Sequence, residues 1–123
     1  FLPSGRPILG EGAVADMTEK PLTGVKVLEL GQLMAGPFAG TLLAFFGADV
    51  IKVEPPGRGD AVRGWRAITG DTSLWWYSLG RNKRSVTINL KSDEGRRIVR
   101  RLAGEVDVIR DVGFSGHGRV SSQ

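Results

Sequence analysis

Residues 25–54 constrain the fold more than any other stretch of this chain. Val25, Val27, Leu28 and Leu30 make a short apolar run that stops at Gly31, and Pro37 then opens a second apolar segment carrying Phe38, Leu42, Leu43, Phe45 and Phe46. Proline suits the first turn of a helix, where its missing N–H would have had no partner. Gly47 falls at the position where a glycine commonly closes a helix. Asp-Val-Ile-Lys-Val-Glu follows over 49–54, rich in β-branched residues and stopped by Pro55, Pro56 and Gly57. Strand, helix and strand in so short a span predict a right-handed βαβ unit with parallel strands. Ligands of such units sit beyond the carboxyl ends of the strands, near the helix N-terminus. Residues 31–38 and 54–58 are therefore the candidate site.

The same pattern recurs downstream. Ser73 is placed to cap a short helix bearing Leu74, Trp75, Trp76, Tyr77 and Leu79, an aromatic group expected to form a local core cluster. After a basic turn at 80–85, Val86, Ile88 and Leu90 alternate and predict a strand over 86–90. Ser92 is the N-cap of a helix over 92–104, with Asp93 and Glu94 where the dipole favours anions. Ile98, Val99, Leu102 and Ala103 should form its buried stripe, and Arg96, Arg97, Arg100 and Arg101 its outer face. A strand at 106–109 completes a second strand–helix–strand. The expected class is α/β, a Rossmann-like parallel sheet built from two βαβ units and forming a partial domain. Residues 1–20 are expected to be a disordered or upstream extension, with Met17 a natural start for a cytoplasmic protein. Residues 21–109 should form the domain, and 110–123 an aberrant or disordered tail.

Composition removes several chemistries. The 123 residues contain no cysteine and one histidine, His117, so thiolate metal sites, a cysteine nucleophile and histidine-based metal or triad chemistry are not expected. No apolar run approaches the roughly 20 residues of a membrane helix. Gly31 and Gly36 have the spacing of P-loop glycines, but Pro37 and Phe38 stand where Lys-Ser/Thr is required. No G-x-G-x-x-G follows the first strand, although Glu54 lies where a ribose-binding acid would be expected. The net charge of +4 invites phosphate-bearing ligands. One reading is thus a small basic nucleic-acid-binding domain using Arg81, Lys83, Arg84 and the arginine helix.

A second reading comes from ordered motifs. Pro21-Leu-Thr-Gly-Val-Lys-Val-Leu-Glu-Leu, Ala35-Gly-Pro-Phe-Ala-Gly, the segment from Leu43 through Phe-Gly-Ala-Asp-Val-Ile-Lys-Val-Glu-Pro-Pro-Gly-Arg-Gly to Asp60, and Arg81-Asn-Lys-Arg-Ser-Val resemble the amino-terminal part of the family III CoA-transferases. This is the formyl-CoA and carnitine CoA-transferase type, whose relatives include α-methylacyl-CoA racemase. The resemblance implies the CoA-binding part of an acyl-CoA:carboxylate CoA-transferase, with a racemase-like fragment as the alternative. It implies CoA or acyl-CoA and a carboxylic acid as substrates, no covalently bound cofactor, no metal, no nucleic-acid or membrane partner, and an interlocked homodimer in full-length relatives.

Carried over position by position, the resemblance puts Met34 and Ala35 near the CoA thiol arm. Met34 stands where formyl-CoA transferase has glutamine. Pro55 lies where that enzyme presents an arginine to a CoA phosphate, and Arg58 is the residue able to substitute for it. Ile88, Asn89, Leu90 and Lys91 would line the nucleotide portion. The family's nucleophilic carboxylate lies downstream of this region, so no catalytic residue is assigned, and the chain alone is expected to be inactive.

Overall fold

The computed structural model describes residues 19–111. Residues 112–123 of the expected tail, His117 among them, and most of the expected extension lie outside these, while Arg110, expected in the tail, is the last residue of the final strand, where its carbonyl accepts from Leu30 N. Four strands form one parallel sheet: β1 (Lys26–Glu29), β2 (Asp49–Glu54), β5 (Lys83–Thr87) and β6 (Val108–Arg110), in the order β5-β2-β1-β6. β1 lies between β2 and β6, and its Val27 is in register with Val50 on one side and Val108 on the other. The chain therefore moves outward from β1 through β2 to β5, then returns to the far side of β1. That reversal puts a topological switch point between β1 and β6. β5 and β6 are parallel strands of the same sheet at opposite edges, so the second crossover spans the whole sheet.

α1 (Ala35–Phe45) links β1 to β2, with Pro37 in its first turn. It ends where the N–H groups of Gly47 and Ala48 donate to the carbonyls of Ala44 and Leu43. That is the two-bond closure of a Schellman turn. α2 (Leu74–Leu79) and α3 (Asp93–Ala103) both begin as the sequence indicates: Ser73 Oγ accepts from Trp75 N and Ser92 Oγ from Gly95 N.

The sheet is covered on both faces. Val27 and Val50 pack with Ala44 and Ala48 on the α1 side, joined by Leu22, Val25 and Leu43. Leu28, Val53 and Ile88 pack on the α3 side with Ile51, Val86, Val99, Leu102, Ala103 and Val106.

Four expectations change in detail. The third long strand begins at Lys83 and ends at Thr87, earlier than the 86–90 pattern predicts. Ile88 N still donates to Glu54 O, but Asn89 O accepts from Ser92 N and Oγ and turns the chain into α3, which leaves Asn89 and Leu90 outside the strand. The predicted loop at 69–72 is a small hairpin, β3 (Ile68–Thr69) with β4 (Thr72–Ser73). Ile98 is 42% exposed rather than buried; α3 is anchored by Val99, Leu102 and Ala103 instead. The aromatic segment is not a core: Tyr77 is 56% exposed, Leu74 and Trp75 also face outward, and only Leu79 of α2 is buried. Six residues of helix have one inward edge, and Leu79 fills it.

Candidate functional site

Alternate residues of a strand face opposite sides, and at the carboxyl end of this sheet the two sides differ in kind. On the α1 side, Glu29, Lys52 and Glu54 are almost wholly buried. Lys52 Nζ lies 2.8 Å from Glu29 Oε1 and 2.7 Å from Asp60 Oδ2, and donates to Gly31 O at 2.9 Å. Lys83 Nζ meets the other Glu29 oxygen at 2.8 Å and Pro37 O at 2.6 Å. Glu54 accepts from Arg63 Nε and Nη2, Ser85 Oγ and Asp60 N, and the Arg63 guanidinium lies 3.6 Å over the Trp76 ring. Three carboxylates and three cations thus balance in a layer that is buried except at Arg63, a third of whose side chain is exposed; such pairing is the condition under which buried charge is tolerated.

The shifts follow from these contacts. Burial alone would push the Glu54 carboxyl up, but Arg63, Ser85 and the Asp60 amide outweigh it and hold the group at about 2. The bond to Glu54 raises Arg63. Burial pushes the Lys83 ammonium down, against the opposing pull of Glu29. Gly40 of α1 is what lets the helix sit here. A β-carbon on it would lie 1.9 Å from Glu29 Oε2.

Asp60 ties this layer to the loop after β1. Its Oδ1 accepts from Val62 N at 2.9 Å, capping the 3₁₀ turn Ala61–Gly64, and from Leu33 N at 3.3 Å. Leu33 is in the left-handed region, φ 68°. Met34 is the N-cap of α1 and makes no side-chain cap; no acid occupies the first turn. Met34 and Ala35 are exposed beside the switch point.

On the α3 side the carboxyl ends of β1, β2 and β5 line a pocket of about 170 Å³. Leu30, Val53 and Ile88 form its apolar wall, and Gln32, Pro55, Pro56, Asn89, Leu90 and Lys91 complete it. Its size suits part of a ligand rather than a whole one. Lys91 N donates to Asn89 Oδ1, fixing the turn. Gly95 permits α3 to approach it, since a β-carbon there would fall 1.9 Å from Asn89 O.

Of the candidate residues, Pro55, Ile88, Asn89, Leu90 and Lys91 therefore share one pocket. Arg58 does not line it. With Pro55, Gly57, Gly59, Arg63 and Thr87 it borders a separate open depression of about 240 Å³. Met34 and Ala35 line neither. Gln32, inside the candidate stretch 31–38 but not singled out by any motif, lines the pocket at the carboxyl end of β1. Glu54, at the position of a ribose-binding acid, is saturated by Arg63, Ser85 and Asp60. Of the basic residues open to a nucleic-acid reading, Lys83 is buried and Arg84 is paired with Asp49.

The comparisons with known proteins identify the family. The family model described as CoA-transferase family III matches residues 22–113. The succinyl-CoA–D-citramalate CoA-transferase of Chloroflexus aurantiacus is 55% identical over 91 residues, covering 73% of this chain and 23% of that protein. Human succinyl-CoA:glutarate CoA-transferase is 47% identical over 90 residues, covering 72% and 20%. Among solved structures, a CAIB/BAIF family protein from Brucella suis superposes with a TM-score of 0.68 at 43% identity, covering 74% of this chain and 25% of that one. The chain thus spans about a fifth to a quarter of the length of these relatives. With the parallel sheet and its switch point inside the matched segment, and the ordered motifs inside it but for Pro21, the chain belongs to CoA-transferase family III.

Proposed function

We propose that this chain is the CoA-binding part of an acyl-CoA:carboxylate CoA-transferase and does not transfer CoA by itself. The observation that carries the reading is the pocket that joins Pro55 to Ile88, Asn89, Leu90 and Lys91 at the carboxyl end of the sheet. Its apolar wall suits the faces of a heterocycle, and the Lys91 ammonium suits a phosphate beside it. Met34 and Ala35, at the exposed start of α1, would meet the pantetheine arm, and Arg58 a phosphate. No carboxylate lines the pocket, and the buried ones nearby, Glu29, Glu54 and Asp60, are each held by a cation. Binding without an available nucleophile is what such a lining provides. Both substrates, an acyl-CoA and a carboxylic acid, follow from this reading. An interlocked homodimer belongs to the full-length protein in this reading, and Phe38, Leu42 and Phe45, which recur along α1 and stay exposed, would pack against the remainder of that assembly.

Titration calorimetry of the 123-residue chain with CoA, ADP and pantetheine tests the binding. Saturable binding at sub-millimolar CoA, weaker for each half-ligand, is expected. Heat-silent titrations with all three would overturn it. Succinyl-CoA leads the donor panel in a transfer assay, because it appears in the names of the relatives. A new thioester, or a hydroxylamine-trapped acyl group on the chain, would refute the inactivity. Burial of Lys83 and pairing of Arg84 remove two cations from the nucleic-acid reading, while Arg81, Arg100 and Arg101 remain exposed. DNA retained on the chain at physiological salt would revive it.

A further inference from the structure

We infer that the buried Lys52–Asp60 pair is a positioning device for the loop between β1 and α1, and through it for the ligand-facing start of α1; this rests on the CoA reading above. The two residues grip the loop at two backbone points. Lys52 Nζ donates to Gly31 O at 2.9 Å, and Asp60 Oδ1 accepts from Leu33 N at 3.3 Å. The 2.7 Å contact between the two side chains locks the grips to each other.

Between them the backbone is held where a leucine does not go by preference: Leu33 has φ 68°, and a non-glycine residue in this region is strained. Such strain persists only where the surroundings over-determine it. Here the surroundings are a carboxylate that is itself 1% exposed and a lysine with no exposed surface. Leu33 immediately precedes Met34, the N-cap of α1. Its dihedrals therefore set the direction in which Met34 and Ala35 leave the sheet. Lys83 secures the same helix one turn later through Pro37 O. The clamp spans β2, the loop after β1 and the 3₁₀ turn, so a polar layer on the opposite face of the sheet from the pocket governs the geometry of the chain's ligand-facing edge.

The test separates positioning from general support. Asp60→Ala should raise the exchange rate of the Leu33 amide hydrogen at least tenfold more than those of β1 and β2, and should weaken CoA binding at least tenfold. Adding Leu33→Gly, which admits a positive φ without a side-chain penalty, should restore at least a third of the lost affinity. A residue that merely supports the fold would not be rescued there. Because Asp60→Ala removes one of the two carboxylates facing the buried Lys52, Leu33→Val supplies the same test without touching the charges. A β-branched residue resists this φ, and CoA affinity should fall at least threefold with unchanged amide dispersion elsewhere. Equal binding by Leu33→Val and the parent chain, or no rescue of Asp60→Ala by Leu33→Gly, would overturn the inference. If the parent chain binds no CoA, the functional reading fails, and the exchange of the Leu33 amide alone decides whether the clamp holds the loop.

Discussion

On the α1 side of the sheet β1, β2 and β5 present Glu29, Lys52, Glu54, Lys83 and Ser85, linked to one another and to Asp60 and Arg63. On the α3 side the intervening residues of the same strands, Leu28, Ile51, Val53 and Val86, pack with Ile88 against the apolar face of α3. Ion pairs and hydrogen bonds are directional, whereas apolar contact is not. The charged side therefore dictates where the loops lie. The apolar side supplies cohesion and the wall of a pocket. One set of strands performs both tasks because the side chains alternate.

The largest expected effect breaks the charged side outright. Lys52→Met should cost about 3–5 kcal/mol in urea denaturation, because Asp60 is left buried without its cation. A loss below about 1 kcal/mol would put that layer on a par with a surface ion pair.

Acid should attack the same side next. Glu54 is depressed from 4.5 to about 2, so its contribution is fully present above pH 4.5 and is lost as pH falls through 2. The difference is on the order of 3 kcal/mol. Glu54→Gln should flatten that acid limb of the stability curve. An unchanged limb would assign the acid sensitivity to another group.

Gly40→Ala then probes how tightly α1 is fitted to the charges. Helix propensity favours alanine by about 1 kcal/mol, yet crowding against the doubly held Glu29 carboxylate should reverse the sign, for a net loss of about 1–3 kcal/mol. A stabilised variant would show that Glu29 can move.

The smallest effect sharpens the contrast from the other side. Lys91→Glu lies at the rim of the apolar pocket and should leave the melting temperature unchanged while weakening CoA binding about fivefold, or roughly 1 kcal/mol. Calorimetry at two salt concentrations checks it, since an exposed charge acts less at high salt.

Much of the fold was legible because it obeys period and punctuation. The apolar runs of β1 and α1, the β-branched run of β2 and the serines before α2 and α3 all lie where the sequence puts them. At the site, what the reading missed was polar residues doing buried work. Lys83 opens β5 and reads as part of a basic turn, but in register with Val50 it points into the protein toward Glu29. Lys52 reads as a strand charge without a task and Glu54 as an acid placed for a ribose, whereas Glu54 is held by Arg63, Ser85 and Asp60. The missed signal was topological: a sheet covered on both faces leaves a mid-strand lysine nowhere to go but inward, so it needs an acid within reach. The split between Arg58 and the pocket depends on which side of the sheet the 55–60 loop folds toward, and no local pattern encodes that choice.

The position of β1 in the sheet has a further consequence, for the order in which the chain acquires its structure. β1 meets β2 across contacts such as Lys52 to Glu29, 23 residues apart, and meets the segment at β6 across contacts such as Lys26 to Asp107, 81 residues apart. Closing the longer loop costs about 1 kcal/mol more in chain entropy, and the ribosome releases the amino-terminal strands first. The β1–α1–β2 unit should therefore assemble while α3 is still being synthesised. Throughout that interval Leu28, Ile51 and Val53 have no helix over them, which makes the apolar face of the nascent sheet a transient target for chaperones. The charged face closes on itself as soon as residues 60–83 emerge.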